Sequence, residues 1–261
     1  MCFFGGRAEL WAPFESALGR LEPRPPELLA LLGETFSDPA RTPSPALERL
    51  DAAISRLPEE TSPARIVRVG IAAAYLDRLP QCRGPLWRAV EHGREGGAIT
   101  SAIESLFLLG NAAYWTGEWD ELTAVTDEGL SLADTHGYRL LTWPGQFLRA
   151  LAAAARGDYE TTRSVTNEMT GWAAPRGVRS VLMYSWHARA LAAHGQADYE
   201  EAYRQATKIS PPGTLAPHAP HALWVILDLV EAAVRTGRND EAAAHVIAAR
   251  AANVEGLSSR L

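Results

Sequence analysis

The sequence predicts an all-α fold, a right-handed superhelical solenoid of antiparallel helix pairs with a period of about 40 residues. Three observations predict it. A short phrase with an aromatic residue and acids recurs around positions 119, 159, 199 and 239, in steps of 40. Apolar residues at the helical spacing i, i+3, i+4 and i+7 flank each copy. No alternating pattern typical of β-strands competes with these helical patterns.

The recurring phrase predicts the corner of a helical hairpin. Its copies are Gly117–Glu121, Arg156–Thr161, Asp198–Glu201 and, more weakly, Gly237–Glu241. A glycine closes the first helix because it adopts the left-handed conformation without a Cβ clash. The acids begin the next helix, where carboxylates interact favourably with the positive end of the helix dipole. In this interpretation the third copy has two extra residues around Gly195–Ala197.

Helical patterns alternate with short connectors along the chain. Proline clusters at 23–26, 39–45 and 211–212 lie between them, as expected of a residue that interrupts helices. Residues 1–62 are more irregular and proline-rich, and the clearest repeats span 98–255. We expect helices at 7–19, 26–37, 44–57, 64–79, 84–95, 98–116, 118–136, 139–156, 158–172, 178–194, 198–209, 220–236 and 238–253.

Composition limits the class of protein. The chain has 261 residues, of which 47% are hydrophobic and 21% charged, so we expect one domain over 1–261 with a substantial core. The net charge of -6 argues against a nucleic-acid-binding surface. Cys2 and Cys82 provide neither a disulfide framework nor a paired metal spacing, and no stretch resembles a signal peptide or membrane span. We therefore expect a cytoplasmic protein.

Catalytic and cofactor motifs are missing. Lys208 is the only lysine and has no glycine loop before it, which excludes ATP binding through a P-loop. His218 and His221 lack further ligands of matching spacing, so we interpret them as exposed loop histidines rather than a zinc site. His187 and His194 lie on one helix face and are expected to be packed or partly solvated. The sequence predicts no enzyme, metal or cofactor.

One repeat resembles a tetratricopeptide repeat. It carries Leu109–Ala112 with Tyr114, followed by Gly117–Leu122 and Gly129. That family places a small residue on the first helix against small residues on the second. The repeats here exceed the family's length, so the resemblance implies a tetratricopeptide-like (TPR-like) array.

A second resemblance covers nearly the whole chain. Among the segments that carry it are FGGRAELWAPFESAL, DEGLSLADTHGYRLLTWPG and PHALWVILDLVEAAVRTGR. They are similar to the helical middle segment of the large ATP-binding LuxR-type (LAL) transcriptional regulators of actinobacteria. The resemblance implies a sensor segment between a nucleotide-binding module and a DNA-binding helix-turn-helix. We accordingly expect a fragment of a longer regulator; the predominance of arginine over lysine also indicates a high-GC genome.

A groove is the candidate binding site. In tetratricopeptide arrays the first helix of each pair faces the concave side, and arginine and aromatic side chains there suit peptides or small acids. The candidate groove contacts are Glu104, Asn111, Tyr114, Trp115, Arg189, Trp224, Glu231 and Arg235, with Phe107 and Leu227 at matching positions.

Two functions remain open. The first is a regulatory module of a LuxR-type regulator, whose affinity for a protein partner or small effector biases a switch executed elsewhere. The alternative is a freestanding TPR-like scaffold that binds a peptide in its concave groove. The sequence predicts neither an oligomeric state nor the effector.

Overall fold

The computed structural model describes residues 8–21, 26–258 and 260. This part of the chain is all-helical, with fourteen α-helices joined by turns and short 3-10 segments and without a β-strand, which confirms the all-α prediction. The predicted start of the first helix at residue 7 and the prolines at 23–25 lie outside the described residues. The helices are α1 (Ala8–Leu18), α2 (Glu27–Ser37), α3 (Ser44–Arg56), α4 (Pro63–Tyr75), α5 (Arg83–Arg94), α6 (Ile99–Thr116), α7 (Trp119–Thr135), α8 (Thr142–Ala155), α9 (Tyr159–Ala173), α10 (Arg179–Gly195), α11 (Tyr199–Ile209), α12 (His221–Trp224), α13 (Ile226–Arg235) and α14 (Asn239–Ala251).

Most predicted helices differ from the observed ones by one or two residues at each end. The prediction of one helix at 220–236 is wrong, because Val225 has φ -101° and ψ 10° and separates α12 from α13. The predicted helix at 64–79 ends earlier, at Tyr75, since Asp77 adopts a left-handed φ of 58°. The predicted helix at 139–156 begins with the 3-10 turn Arg139–Leu141.

Seven of the helix corners share one hydrogen-bond pattern. In each of these, an alanine carbonyl near the end of the helix accepts from the amide five residues later, as Ala113 does from Glu118 at 2.9 Å. The residue before the donor has positive φ, which is the geometry of a Schellman cap. The pattern recurs at Ala73, Ala113, Ala133, Ala153, Ala173, Ala193 and Ala233.

The third corner corrects the sequence interpretation. The amide of Asp198 donates to the Ala193 carbonyl at 2.9 Å, in register with the other corners, so no extra residues are present. Ala197, with φ 56°, occupies the left-handed position that Gly117, Gly157 and Gly237 take elsewhere. Gly195 instead belongs to α10.

The chain divides into two compact units. The N-unit comprises Pro26–Thr35 and Pro43–Ala152; the C-unit comprises the described residues of Met1–Pro25, Phe36–Thr42 and Ala153–Leu261. In the N-unit, Phe107 of α6 packs with Leu130 of α7 and Leu148 of α8. The single domain over 1–261 stays a prediction.

The core of the C-unit brings α10, α11 and α13 together. Ala190 of α10, Ala206 of α11 and Leu229 of α13 form one buried cluster, and small residues let these three helices approach closely.

Asp158 and Asp198 begin α9 and α11 by accepting the amides of Thr161 and Glu201, at 3.0 and 3.1 Å. The backbone amide of Thr161 lowers the pKa of Asp158, as expected of an N-capping carboxylate.

Candidate functional site

A charged groove of about 650 Å³ lies in the C-unit between α9, α10 and α11. We name it the Arg189 groove and define it by its charged side chains. Four of them are basic and three are acidic. They are Arg163, Arg189, Arg204 and Lys208, with Glu160, Asp198 and Glu201.

Arg189 is held in place by two side chains of α9. Its Nε donates to Thr166 Oγ1 at 3.0 Å and its Nη2 donates to Asn167 Oδ1 at 2.9 Å. Thr166 in turn donates to the Thr162 carbonyl at 2.8 Å, which orients the hydroxyl oxygen toward the guanidinium. Burial lowers the pKa of Arg189, but a guanidinium stays charged at neutral pH.

The preceding repeat contains an equivalent arginine, but its partner on the neighbouring helix is an acid instead of an amide. Arg149 and Asp127 lie 40 residues before Arg189 and Asn167, and they form an ion pair with 3.0 Å between Nη2 and Oδ1. Asn167 accepts the equivalent hydrogen bond but carries no charge. The positive charge of Arg189 therefore lacks the counter-charge that Asp127 supplies to Arg149.

The opposite wall of the groove adds two more cations. Partial desolvation, and then the like charges of Arg204 and Arg189, lower the pKa of Lys208. Arg204 forms an ion pair with Glu201, whereas Lys208 Nζ donates to the neutral Gln205 Oε1 at 3.3 Å. Arg189 and Lys208 are thus both bonded to neutral acceptors within one groove.

Among the predicted groove residues of the N-unit, Asn111, Tyr114 and Trp115 form a partly buried polar and aromatic cluster on α6. Trp115 Nε1 donates to Asn111 Oδ1 at 3.0 Å, and the rings of Tyr114 and Trp115 lie 4.8 Å apart. Burial raises the pKa of Glu104, against the opposing effect of Arg68. Phe107, by contrast, is 5% exposed and belongs to the core, so it lines no surface.

The predicted residues of the C-unit do not all come together. Arg235 Nη2 donates to Glu231 Oε1 at 3.5 Å, and Leu227 on the same helix is 57% exposed. Trp224 packs against His221 and His187, with 4.5 and 6.4 Å between ring centroids. His187 precedes Arg189 by two residues, which is about 200° around α10. Trp224 therefore contacts a different face of α10 from the one that carries Arg189.

A buried histidine pair was not predicted. The Nδ1 atoms of His187 and His221 lie 3.1 Å apart, and the side chains are 2% and 1% exposed. Burial, then the charge of Arg260, lowers the pKa of His187 to about 3; burial and His187 lower the pKa of His221. His221 is thus buried in α12, and the interpretation of it as an exposed loop residue is wrong.

The described part of the chain contains neither a metal-binding cluster nor a membrane-spanning helix. Over residues 8–21, 26–258 and 260, no group of three or more His, Cys, Asp or Glu side chains is arranged to hold a metal ion. None of the helices in the described part of the chain combines the length and apolar character needed to cross a bilayer.

Comparison with protein-family models, curated proteins and solved structures found no match for this chain.

Sequence reasoning identified only one member of the Arg189 groove. Arg189 was expected to contact a ligand, but its α9 partners Thr166 and Asn167 and the cations of α11 were not. Aligning the chain with itself at a step of 40 pairs Asp127 with Asn167, and this signal would have marked the missing charge.

Proposed function

We propose that this chain is the regulatory sensor module of a LuxR-type ATP-dependent transcriptional regulator, and that it binds a small effector or a protein partner. The Arg189 groove is the observation that carries the binding role. It combines a volume suited to a small molecule with charged side chains that converge from three helices. The similarity of the sequence to the helical segment of those regulators supports the regulatory role.

The proposal extends to the fold. The helices form a right-handed, TPR-like superhelix within one domain of a cytoplasmic, actinobacterial regulator. The capped corners support this arrangement, because they recur in register with the 40-residue repeat of the sequence.

Ligand binding in the groove offers a mechanism for regulation. A ligand that contacts α9, α10 and α11 together stabilises one relative position of these helices. If the helices exchange between two relative positions, a ligand shifts this equilibrium only by the difference between its affinities for the two. A coupling free energy of about 1–3 kcal/mol is typical. The switch itself belongs to other domains of the proposed regulator.

A freestanding scaffold is the second candidate. It is favoured by Leu227 and Val234 of α13, whose side chains are 57% and 52% exposed beside the Glu231–Arg235 pair. An amphipathic peptide could cover these apolar side chains while its charges pair with Glu231 and Arg235.

The size of the native product distinguishes the two. An immunoblot of the source organism's lysate, with antibody raised against this chain, should show a band several times larger than 28.3 kDa. A single band at 28.3 kDa would contradict the regulator proposal and favour the scaffold. Competition with the purified chain provides the control, since it must remove the specific band.

A further inference from the structure

The seven charged side chains of the Arg189 groove differ in their partners. Three of them are already engaged within the protein: Glu201 pairs with Arg204, and Asp198 accepts the Glu201 amide at 3.1 Å as the cap of α11. Arg189 and Lys208 instead bond to the neutral Asn167, Thr166 and Gln205. Glu160 and Arg163 of α9 add one charge of each sign, which leaves the positive charges of Arg189 and Lys208 available to a ligand.

Arg189 and Lys208 line the same groove. Partial burial, and then the like charges of Arg204 and Arg189, lower the pKa of Lys208. A dianion placed between them removes this repulsion and gains charge-assisted hydrogen bonds from both. A monoanionic carboxylate would neutralise only one of the two.

We propose that the Arg189 groove binds the phosphate group of a small phosphate monoester, an assignment that rests on the proposed ligand-binding function and names its ligand class. The guanidinium of Arg189, oriented by Thr166 and Asn167, and the ammonium of Lys208 hold the phosphate oxygens. A phosphate monoester carries close to two negative charges at neutral pH, which matches the two cations.

The groove has space for the organic part of such a molecule. Its volume of about 650 Å³ greatly exceeds that of a phosphate group, and Tyr159, Ala192 and Ala193 provide apolar surface in the same groove. The net charge of -6 on the chain opposes a long polyanion such as nucleic acid, because the surface beyond the groove repels it. A small ester avoids that repulsion.

The decisive variant restores the missing charge without removing Arg189. Asn167→Asp recreates the acid that pairs with arginine in the preceding repeat, so it should neutralise Arg189 while preserving the hydrogen bond. We would titrate the chain with phenyl phosphate by calorimetry, using benzoate as the carboxylate probe. Phenyl phosphate should bind at least about tenfold more tightly than benzoate, and both Asn167→Asp and Arg189→Gln should weaken phenyl phosphate binding by about tenfold or more.

Arg149→Gln is the matched control, since Arg149 is the equivalent arginine with its own acid, Asp127. It should bind phenyl phosphate as the unaltered chain does. Asn167→Asp should melt at or above the temperature of the unaltered chain, so lost affinity cannot reflect unfolding. Equal phenyl phosphate affinity of Asn167→Asp and the unaltered chain would overturn the proposal, as would an absence of saturable binding. The regulator proposal fails separately, on the size of the native product.

Discussion

The Phe107 ring fills space that two glycines leave open in the N-unit. A Cβ atom on Gly129 of α7 would lie 2.6 Å from Phe107 Cε1, and one on Gly145 of α8 would lie 2.5 Å from the same atom. Both distances are far shorter than van der Waals contact. Glycine at 129 and 145 therefore determines how closely α7 and α8 approach the Phe107 ring.

We expect Gly129→Ala to reduce the free energy of unfolding by about 1 kcal/mol, measured by urea denaturation. Overpacking a core costs roughly 1–3 kcal/mol, and replacing a helical glycine by alanine recovers up to about 1 kcal/mol. Gly171→Ala is the control, because Gly171 lies within α9 and a Cβ there meets no atom within 4 Å. That variant should gain about 0.5–1 kcal/mol. Equal stabilisation by both alanines would show that Phe107 does not depend on Gly129.

Phe107 also shows which property of a residue the sequence did not predict. Its spacing from Glu104 and Asn111 placed it on the proposed groove surface. Its burial depends on glycines located on two other helices, so the pattern within α6 alone could not distinguish a surface ring from a core ring. The same limit applies to His221, which is buried by its contact with His187 of α10.

At the scale of helices, local sequence was sufficient in most places. Capping residues and apolar residues at helical spacing depend on neighbouring residues in the chain, and they predicted most helix bounds to within one or two residues. The failures occurred where the local rule was broken: Val225 interrupts a continuous apolar pattern, and Ala197 takes a conformation that usually requires glycine. Only the hydrogen bonds of the folded chain reveal the second case.

Ala197 provides a test of the corner geometry. Because its φ of 56° is costly for a residue with a Cβ, Ala197→Gly should increase the free energy of unfolding by about 1 kcal/mol. Gly157→Ala, at the equivalent position with φ 79°, should decrease it by a similar amount. Urea denaturation of both variants measures the pair of effects. Destabilisation by Ala197→Gly would contradict the left-handed assignment of that corner.

At the scale of the whole molecule, a repeated framework carries charges that differ from repeat to repeat. The 40-residue step of the corners is visible in the order of residues, whereas the solenoid arrangement stays a prediction. Arg189 was among the candidate ligand contacts, but the Arg189 groove itself was not predicted. This groove depends on which side chains of α9 and α11 face α10. The difference between Asp127 and Asn167 becomes meaningful once each is seen to bond the equivalent arginine.

The buried histidine pair should make the stability of the C-unit depend on pH. One neutral imidazole donates to the other across 3.1 Å, an arrangement that is lost when both rings are protonated. Tyr184 and Trp224 pack against His221, and the charge of Arg260 opposes protonation of His187. Both rings therefore stay neutral in the folded chain at pH values where an unfolded histidine is protonated.

The sign follows from proton binding. The pKa of His187 is about 3 in the folded chain and about 6.5 when unfolded, so between these values the unfolded state binds more protons and stability falls as pH falls. From pH 7.5 to pH 5, His187 alone should cost about 2 kcal/mol of unfolding free energy, measured by urea denaturation at each pH. His187→Gln keeps an amide beside His221 and should reduce this pH dependence, whereas the exposed control His136→Gln should retain it. An unchanged pH dependence in His187→Gln would assign the effect to other groups.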